Sequence, residues 1–204
     1  MASVWRHLPN ALCLLRILLI LPIAFLLLRG ELLAALVVFV VAALTDVLDG
    51  FLAKRFGWQT ELGKRLDPLA DKLLLVTLFV VVATLGLVPW WLAVAAVFRD
   101  VVITVGGLTY YWLYGDPEGR PTVASKLNTL LQVCLVSGVL ARQAAGSIST
   151  ALAEWLAMPW LDSAIAGLGA LAFVTTVVSG LDYVMRYAGK ARRLQHAARA
   201  GRTA

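Results

Sequence analysis

The chain is short of the features that hold small soluble domains together. Its two cysteines, Cys13 and Cys134, lie far apart in 204 residues, each inside an apolar run. That pattern supports neither a disulfide nor a zinc site, and both read as small apolar fillers. Charge is scarce: 15% of residues are Asp, Glu, Lys or Arg, and no acid follows Asp182. Strict apolar–polar alternation is missing, which argues against a transmembrane β-barrel. No soluble domain boundary, repeat or low-complexity tract appears, so 1–204 reads as one domain with a basic tail over about 189–204. The first apolar run has no small-residue cleavage site after it and further apolar runs follow, so a removable signal peptide is not expected.

What is present is mostly apolar. The hydrophobic fraction is 61% and the mean hydropathy +0.84, against about 45–50% apolar in soluble domains. About 20 residues of helix cross a bilayer, and candidate stretches lie near 9–29, 31–55, 68–88, 89–114, 123–144 and 163–188. The expectation is an all-α polytopic membrane protein of six transmembrane helices, with a short N-terminal surface segment, "MASVWRHL". Lys54, Arg55, Lys64, Arg65 and Lys72 follow the second span, Arg120 and Lys126 the fourth, and six Lys or Arg the sixth. The other loops are poor in basic residues, so both termini should be cytoplasmic, in a membrane such as the bacterial inner membrane. The net charge of +6 then points to anionic lipids and phosphorylated substrates, not nucleic acid. Trp155, Pro159 and Trp160 in "ISTALAEWLAMPWLD" suit a short helix at headgroup level.

Against this background the stretch "TDVLDGFLAKRFGWQTELGKRLDPLADK", residues 45–72, stands out for Asp46, Asp49, Asp67 and Asp71. Asp46 and Asp49 share a helix face with Gly50, Ala53 and Lys54, a polar and sterically bare side. Asp67 before Pro68 reads as an N-cap ahead of a first helical residue, with Asp71 one turn on. The intervening loop is about long enough to bring the two pairs together. Four carboxylates converging without cations repel and take up protons. A divalent metal resolves this, and oxygen ligands select Mg²⁺ or Mn²⁺ over zinc. Room for two ions suggests phosphoryl transfer. Simple pairing of Asp46 and Asp49 with Lys54 and Arg55 is the competing explanation.

The run Asp46-x-x-Asp49-Gly50-x-x-Ala53-Lys54, eight residues to Gly63, then x-x-x-Asp67 and x-x-x-Asp71 resembles the signature of the CDP-alcohol phosphotransferases. Lys54 stands where that family has arginine, which keeps the charge and loses the two-pronged geometry. The resemblance implies a six-helix membrane enzyme, usually a homodimer. Such an enzyme moves a phosphatidyl group from CDP-diacylglycerol to an alcohol and releases CMP. It implies that Asp46, Asp49, Asp67 and Asp71 hold the metals and that Asp71 also deprotonates the attacking hydroxyl. Gly50, Ala53 and Gly63 would leave space at the nucleotide, with Lys54 and Thr60 at nucleotide-contacting positions. "PNALCLLR" is similar to the family's N-terminal motif, making Asn10 and Arg16 candidate donor contacts; Cys13 replaces a threonine there.

For the acceptor, Ser125, Asn128, Thr129 and Gln132 form one polar stripe on the fifth span, with Lys126 beside it. A stripe of this kind faces a bundle interior or cavity. Arg99 next to Asp100 is either a local ion pair or a phosphate-binding residue, which Arg120 and Lys126 can join. The segment R-P-x-x-x-S-K-x-N-T-x-x-Q resembles eukaryotic-type cardiolipin synthases, a branch of the same superfamily, implying phosphatidylglycerol as acceptor. Glycerol 3-phosphate is the alternative. From other classes, a cation or proton transporter and a membrane scaffold remain. The acids crowd one end of the spans, and no inverted repeat favours transport.

Overall fold

The computed structural model describes residues 8–56, 61–114, 122–147, 151–156 and 158–200. Among them every regular element is helical: α1 (Leu8–Leu28), α2 (Leu32–Phe56), α3 (Glu61–Thr84), α4 (Trp90–Tyr114), α5 (Val123–Ala144), a 3₁₀ turn (Ala145–Ser147), α6 (Ala151–Leu156) and α7 (Pro159–Ala200). The all-α expectation holds.

Two glycines close α1 and α3. Gly30 and Gly86 have φ of +77° and +71°, a conformation that costs a residue without Cβ little. The Gly30 amide donates to Leu27 and that of Glu31 to Leu26; Gly86 donates to Ala83 and Leu87 to Val82. This paired pattern satisfies carbonyls that the helix end would leave bare. At the start of α5, the Thr122 hydroxyl accepts from the Ser125 amide, which satisfies a first-turn donor.

The start of α3 departs from expectation. Asp67 is not its N-cap: the helix begins at Glu61 and runs on through Asp67 and Pro68. The upstream residues Glu61, Leu62, Lys64, Arg65 and Leu66 are good helix formers. Their preference outweighs the start signal that Asp-Pro carries. The last helix also exceeds its expected span, since α7 covers 42 residues, roughly 60 Å at 1.5 Å per residue. Its apolar part is Pro159–Tyr187, and the basic tail continues the same helix to Ala200.

Among the described residues, four stretches are long and apolar enough to cross a bilayer: Ala11–Leu28, Trp90–Tyr110, Val123–Ser147 and Pro159–Tyr187. In α2 the apolar stretch is shorter, Leu32–Asp46, because the acid-rich segment begins there. Large apolar side chains face outward, among them Leu21, Phe98 and Trp112. Apolar helices with such surfaces mark an integral membrane protein.

Within the bundle, α1 packs on α2 and α3, α5 on α7 and α2, and α4 on α7 and α3. Leu27, Phe39, Leu78, Val82, Leu135 and Ala172 belong to one continuous core. Between α4 and α7 the approach is close. A Cβ on Gly106 would lie 2.9 Å from Tyr183 Cε1, so only glycine accommodates that ring without movement. In the last turn of α5, Arg142 makes a two-pronged pair with Asp162 of α7, 2.9 and 3.2 Å. The expected interfacial segment contains α6, and Trp155 meets Trp160 edge-to-face at 5.0 Å.

Candidate functional site

A fully buried arginine organises one end of the bundle. Arg16 projects from α1 with 0% exposure. Its Nη2 lies 2.5 Å from Asp46 Oδ1 on α2, and its Nη1 donates to Asp71 Oδ1 on α3. One guanidinium thus gathers a carboxylate from each of the next two helices. An unpaired arginine here would be costly, since removing one partner of a buried ion pair destabilises by about 3–5 kcal/mol. The two carboxylates are not sealed in. The Asp46 and Asp71 side chains are 42% and 45% exposed. The arrangement joins the second and third helices at the end the sequence pointed to, through a residue read there as a donor contact.

Placement of the other expected residues varies. Asn10, Asp49, Gly50, Ala53, Lys54, Gly63 and Asp67 lie on described helices, but their side chains fall outside the described residues. Thr60 and Arg120 lie outside altogether. Among the described residues no group of three or more His, Cys, Asp or Glu forms a metal cage. The described pair still fits a hard divalent ion. Both groups offer only oxygen, they converge from two helices, and each is about half open to solvent.

Next to Asp71 the chain turns toward a second cluster. Lys72 Nζ donates to Thr104 Oγ1 at 2.5 Å and to the Asp100 carbonyl at 3.2 Å, tying α3 to α4. There Arg99 Nη1 pairs with Asp100 Oδ1 at 2.5 Å, both residues being 6% exposed. Arg99 Nη2 donates to Ser125 Oγ and to Ser179 Oγ, each at 2.6 Å. The local ion pair considered from the sequence is therefore present, and the structure extends it across α5 and α7.

The polar stripe of α5 turns inward for the most part. Asn128 Oδ1 accepts from Thr175 Oγ1 at 2.9 Å and Thr176 Oγ1 at 2.8 Å. Gln132 Nε2 donates to Thr176 at 3.4 Å. By contrast, the Thr129 hydroxyl bonds the Ser125 carbonyl of its own helix, and Lys126 is exposed. Arg99 and Ser125 are thus brought together, Asn128 sits one turn along, and Lys126 stands apart. Sequence reasoning missed Thr175, Thr176 and Ser179 on α7. Their spacing was a usable signal, because residues three and four apart share a helix face.

Neither cysteine is in a disulfide; Cys13 is buried and Cys134 exposed.

A membrane-embedded helical bundle with carboxylates converging at one end defines the class, and comparison with known proteins supplies the family. Residues 6–178 match the CDP-alcohol phosphatidyltransferase family, and the chain belongs to it. It is 36% identical over 149 residues to the rat (Rattus norvegicus) protein named cardiolipin synthase (CMP-forming), covering 65% of this chain and 49% of that one. With the CDP-diacylglycerol–glycerol-3-phosphate 3-phosphatidyltransferase of Bacillus subtilis the identity is 30% over 151 residues, 74% of this chain and 72% of that one. The Escherichia coli protein of the same name is 31% identical over 158 residues, 74% and 76% respectively. The chain spans about half the length of the mammalian relatives it matches.

Proposed function

We propose that the chain is a divalent-metal-dependent phosphatidyltransferase that transfers the phosphatidyl group of CDP-diacylglycerol to phosphatidylglycerol, giving cardiolipin and CMP. The observation that carries this is the meeting of Asp46 and Asp71 on one guanidinium at one end of the bundle. The family membership and the names of the rat and human relatives support the choice of reaction and acceptor. Glycerol 3-phosphate remains the second acceptor, because the bacterial relatives named for it match over a larger share of their own length.

In this reading Asp46, Asp49, Asp67 and Asp71 hold Mg²⁺ or Mn²⁺, two ions in all. A bound ion would supply positive charge at the diphosphate of the donor. Asp71 takes the proton of the acceptor hydroxyl, which is too weak an acid to attack unaided. The resulting oxygen forms a bond to the phosphorus that carries the diacylglycerol, while the bond from that phosphorus to the CMP oxygen breaks. Gly50, Ala53 and Gly63 leave room for the nucleotide. Asn10, Arg16, Lys54 and Thr60 contact the donor. At the acceptor side, Arg99 binds phosphate with Ser125, Asn128, Arg120 and Lys126 around it. The serine hydroxyls now on Arg99 carry no charge, whereas a phosphate would meet the guanidinium with opposite charge and two oxygens for its fork.

The same reading takes α1, α2, α3, α4, α5 and α7 as six spans, places both termini and the acids on the cytoplasmic side, and makes the enzyme a homodimer. There a water-soluble nucleotide can leave while the acyl chains stay in lipid. Purified protein offered labelled CDP-diacylglycerol and Mg²⁺ or Mn²⁺, with phosphatidylglycerol and glycerol 3-phosphate supplied separately, tests the function. Cardiolipin is the expected product. Phosphatidylglycerophosphate alone would shift the assignment to the second acceptor, and no CMP release with either would overturn the reaction and favour a transporter or scaffold.

A further inference from the structure

We propose that Arg16 is a built-in counter-cation, which holds Asp46 and Asp71 together in the metal-free protein and competes with the divalent ion for them. The inference rests on the metal-site reading above and adds a step to it: loading the ion requires the guanidinium to withdraw from the carboxylate pair.

Three observations lead here. The guanidinium spans the pair, with Nη2 2.5 Å from Asp46 Oδ1 and Nη1 on Asp71 Oδ1. Its planar fork therefore sets the separation of the two acids. Second, these are the oxygens a hard cation would take, and a divalent ion on them would stand against a fixed positive charge. Arginine cannot relieve that repulsion by losing its proton. Third, the arginine is fully buried whereas the carboxylates are about half exposed. An incoming ion thus meets the acids from the open side and the guanidinium from behind.

The arrangement has a use. Acids left to repel one another would part or take up protons, and a permanent cation keeps them assembled until the ion arrives. A guanidinium released from carboxylate is in turn a well-matched ligand for phosphate, so arrival of a diphosphate would favour the exchange. The reading of Arg16 as a donor contact and its observed place on the carboxylates then describe two states of one side chain.

The sign of a metal-binding change separates this proposal from an ordinary supporting role. The full chain in detergent, stripped of metal, is titrated with Mn²⁺ alone, and free Mn²⁺ is followed by electron paramagnetic resonance. A neighbouring charge moves a proton affinity by about 1–3 log units, and a metal affinity moves in the same sense. Arg16→Gln should therefore bind Mn²⁺ at least about tenfold tighter than the parent. Its metal-free Tm should fall, and the gap between metal-free and Mn²⁺-loaded Tm should widen. Equal or weaker Mn²⁺ binding would overturn the proposal and make Arg16 a positioning group for the ligands. If Arg16→Gln does not fold, Arg16→Met decides by the same sign, since it removes the charge and leaves an unbranched apolar side chain suited to a buried site. Asp46→Asn and Asp71→Asn serve as controls and should weaken Mn²⁺ binding. Parental affinity in both would show that the metal reading itself had failed, whatever Arg16 does.

Discussion

The arginine–aspartate clusters at Arg16 and at Arg99 differ in what surrounds the charge. Arg16 gathers Asp46 and Asp71 from separate helices, and both acids keep close to half of their surface open. Arg99 pairs with its own neighbour Asp100, both nearly sealed, and two serine hydroxyls on α5 and α7 take up its second nitrogen. The same two residue types thus serve opposite ends. A buried, hydrogen-bonded pair ties helices together, because breaking it strands a charge. An arginine that is buried while its acids are open leaves those acids within reach of an ion or substrate.

The contrast can be broken at either cluster. The largest expected effect is on chemistry: Asp71→Asn should lower CMP release by about 10²–10⁴-fold while CMP binding, followed by equilibrium dialysis, is largely kept. Equal loss of both would make Asp71 chiefly a ligand. Next comes Arg99→Met, which strands Asp100. It should cost about 3–5 kcal/mol in unfolding of the detergent-solubilised protein without substrate. A negligible loss would mean that Asp100 is not dependent on Arg99 and that the second cluster is no clasp. Smaller again, Gly106→Ala forces a methyl to within 2.9 Å of the Tyr183 ring. It should cost about 1–3 kcal/mol by the same measurement, with the turnover of the folded fraction unchanged. The smallest effect is Lys54→Arg, which restores the residue type of the family signature and should leave turnover near the parent's. A dead variant would show that the position is used differently here.

Legibility from the sequence followed the strength of the local signal. The helices α1, α4 and α5 were readable because each is a long apolar run, and α2 because a shorter one, Leu32–Asp46, opens it. The start of α3 was not, because Asp-Pro is a strong start signal and the helix formers before it are a diffuse one. Arg16 was singled out as a candidate donor contact, yet its partners were not foreseen, since Asp46 and Asp71 lie 30 and 55 positions away. The polar stripe of α5 was visible, but the hydroxyls that meet it on α7, Thr175, Thr176 and Ser179, were lost among apolar neighbours.

By itself the sequence determined the solvent, the helical class and the family, because apolar run length, charge asymmetry and the acid spacing are all local properties of the chain. Which charges meet was decided only by the tertiary structure. A lone arginine in an apolar helix is costly wherever it stands, and helix packing alone determines whether the carboxylates that offset it come from the next residue, as at Arg99, or from two other helices, as at Arg16.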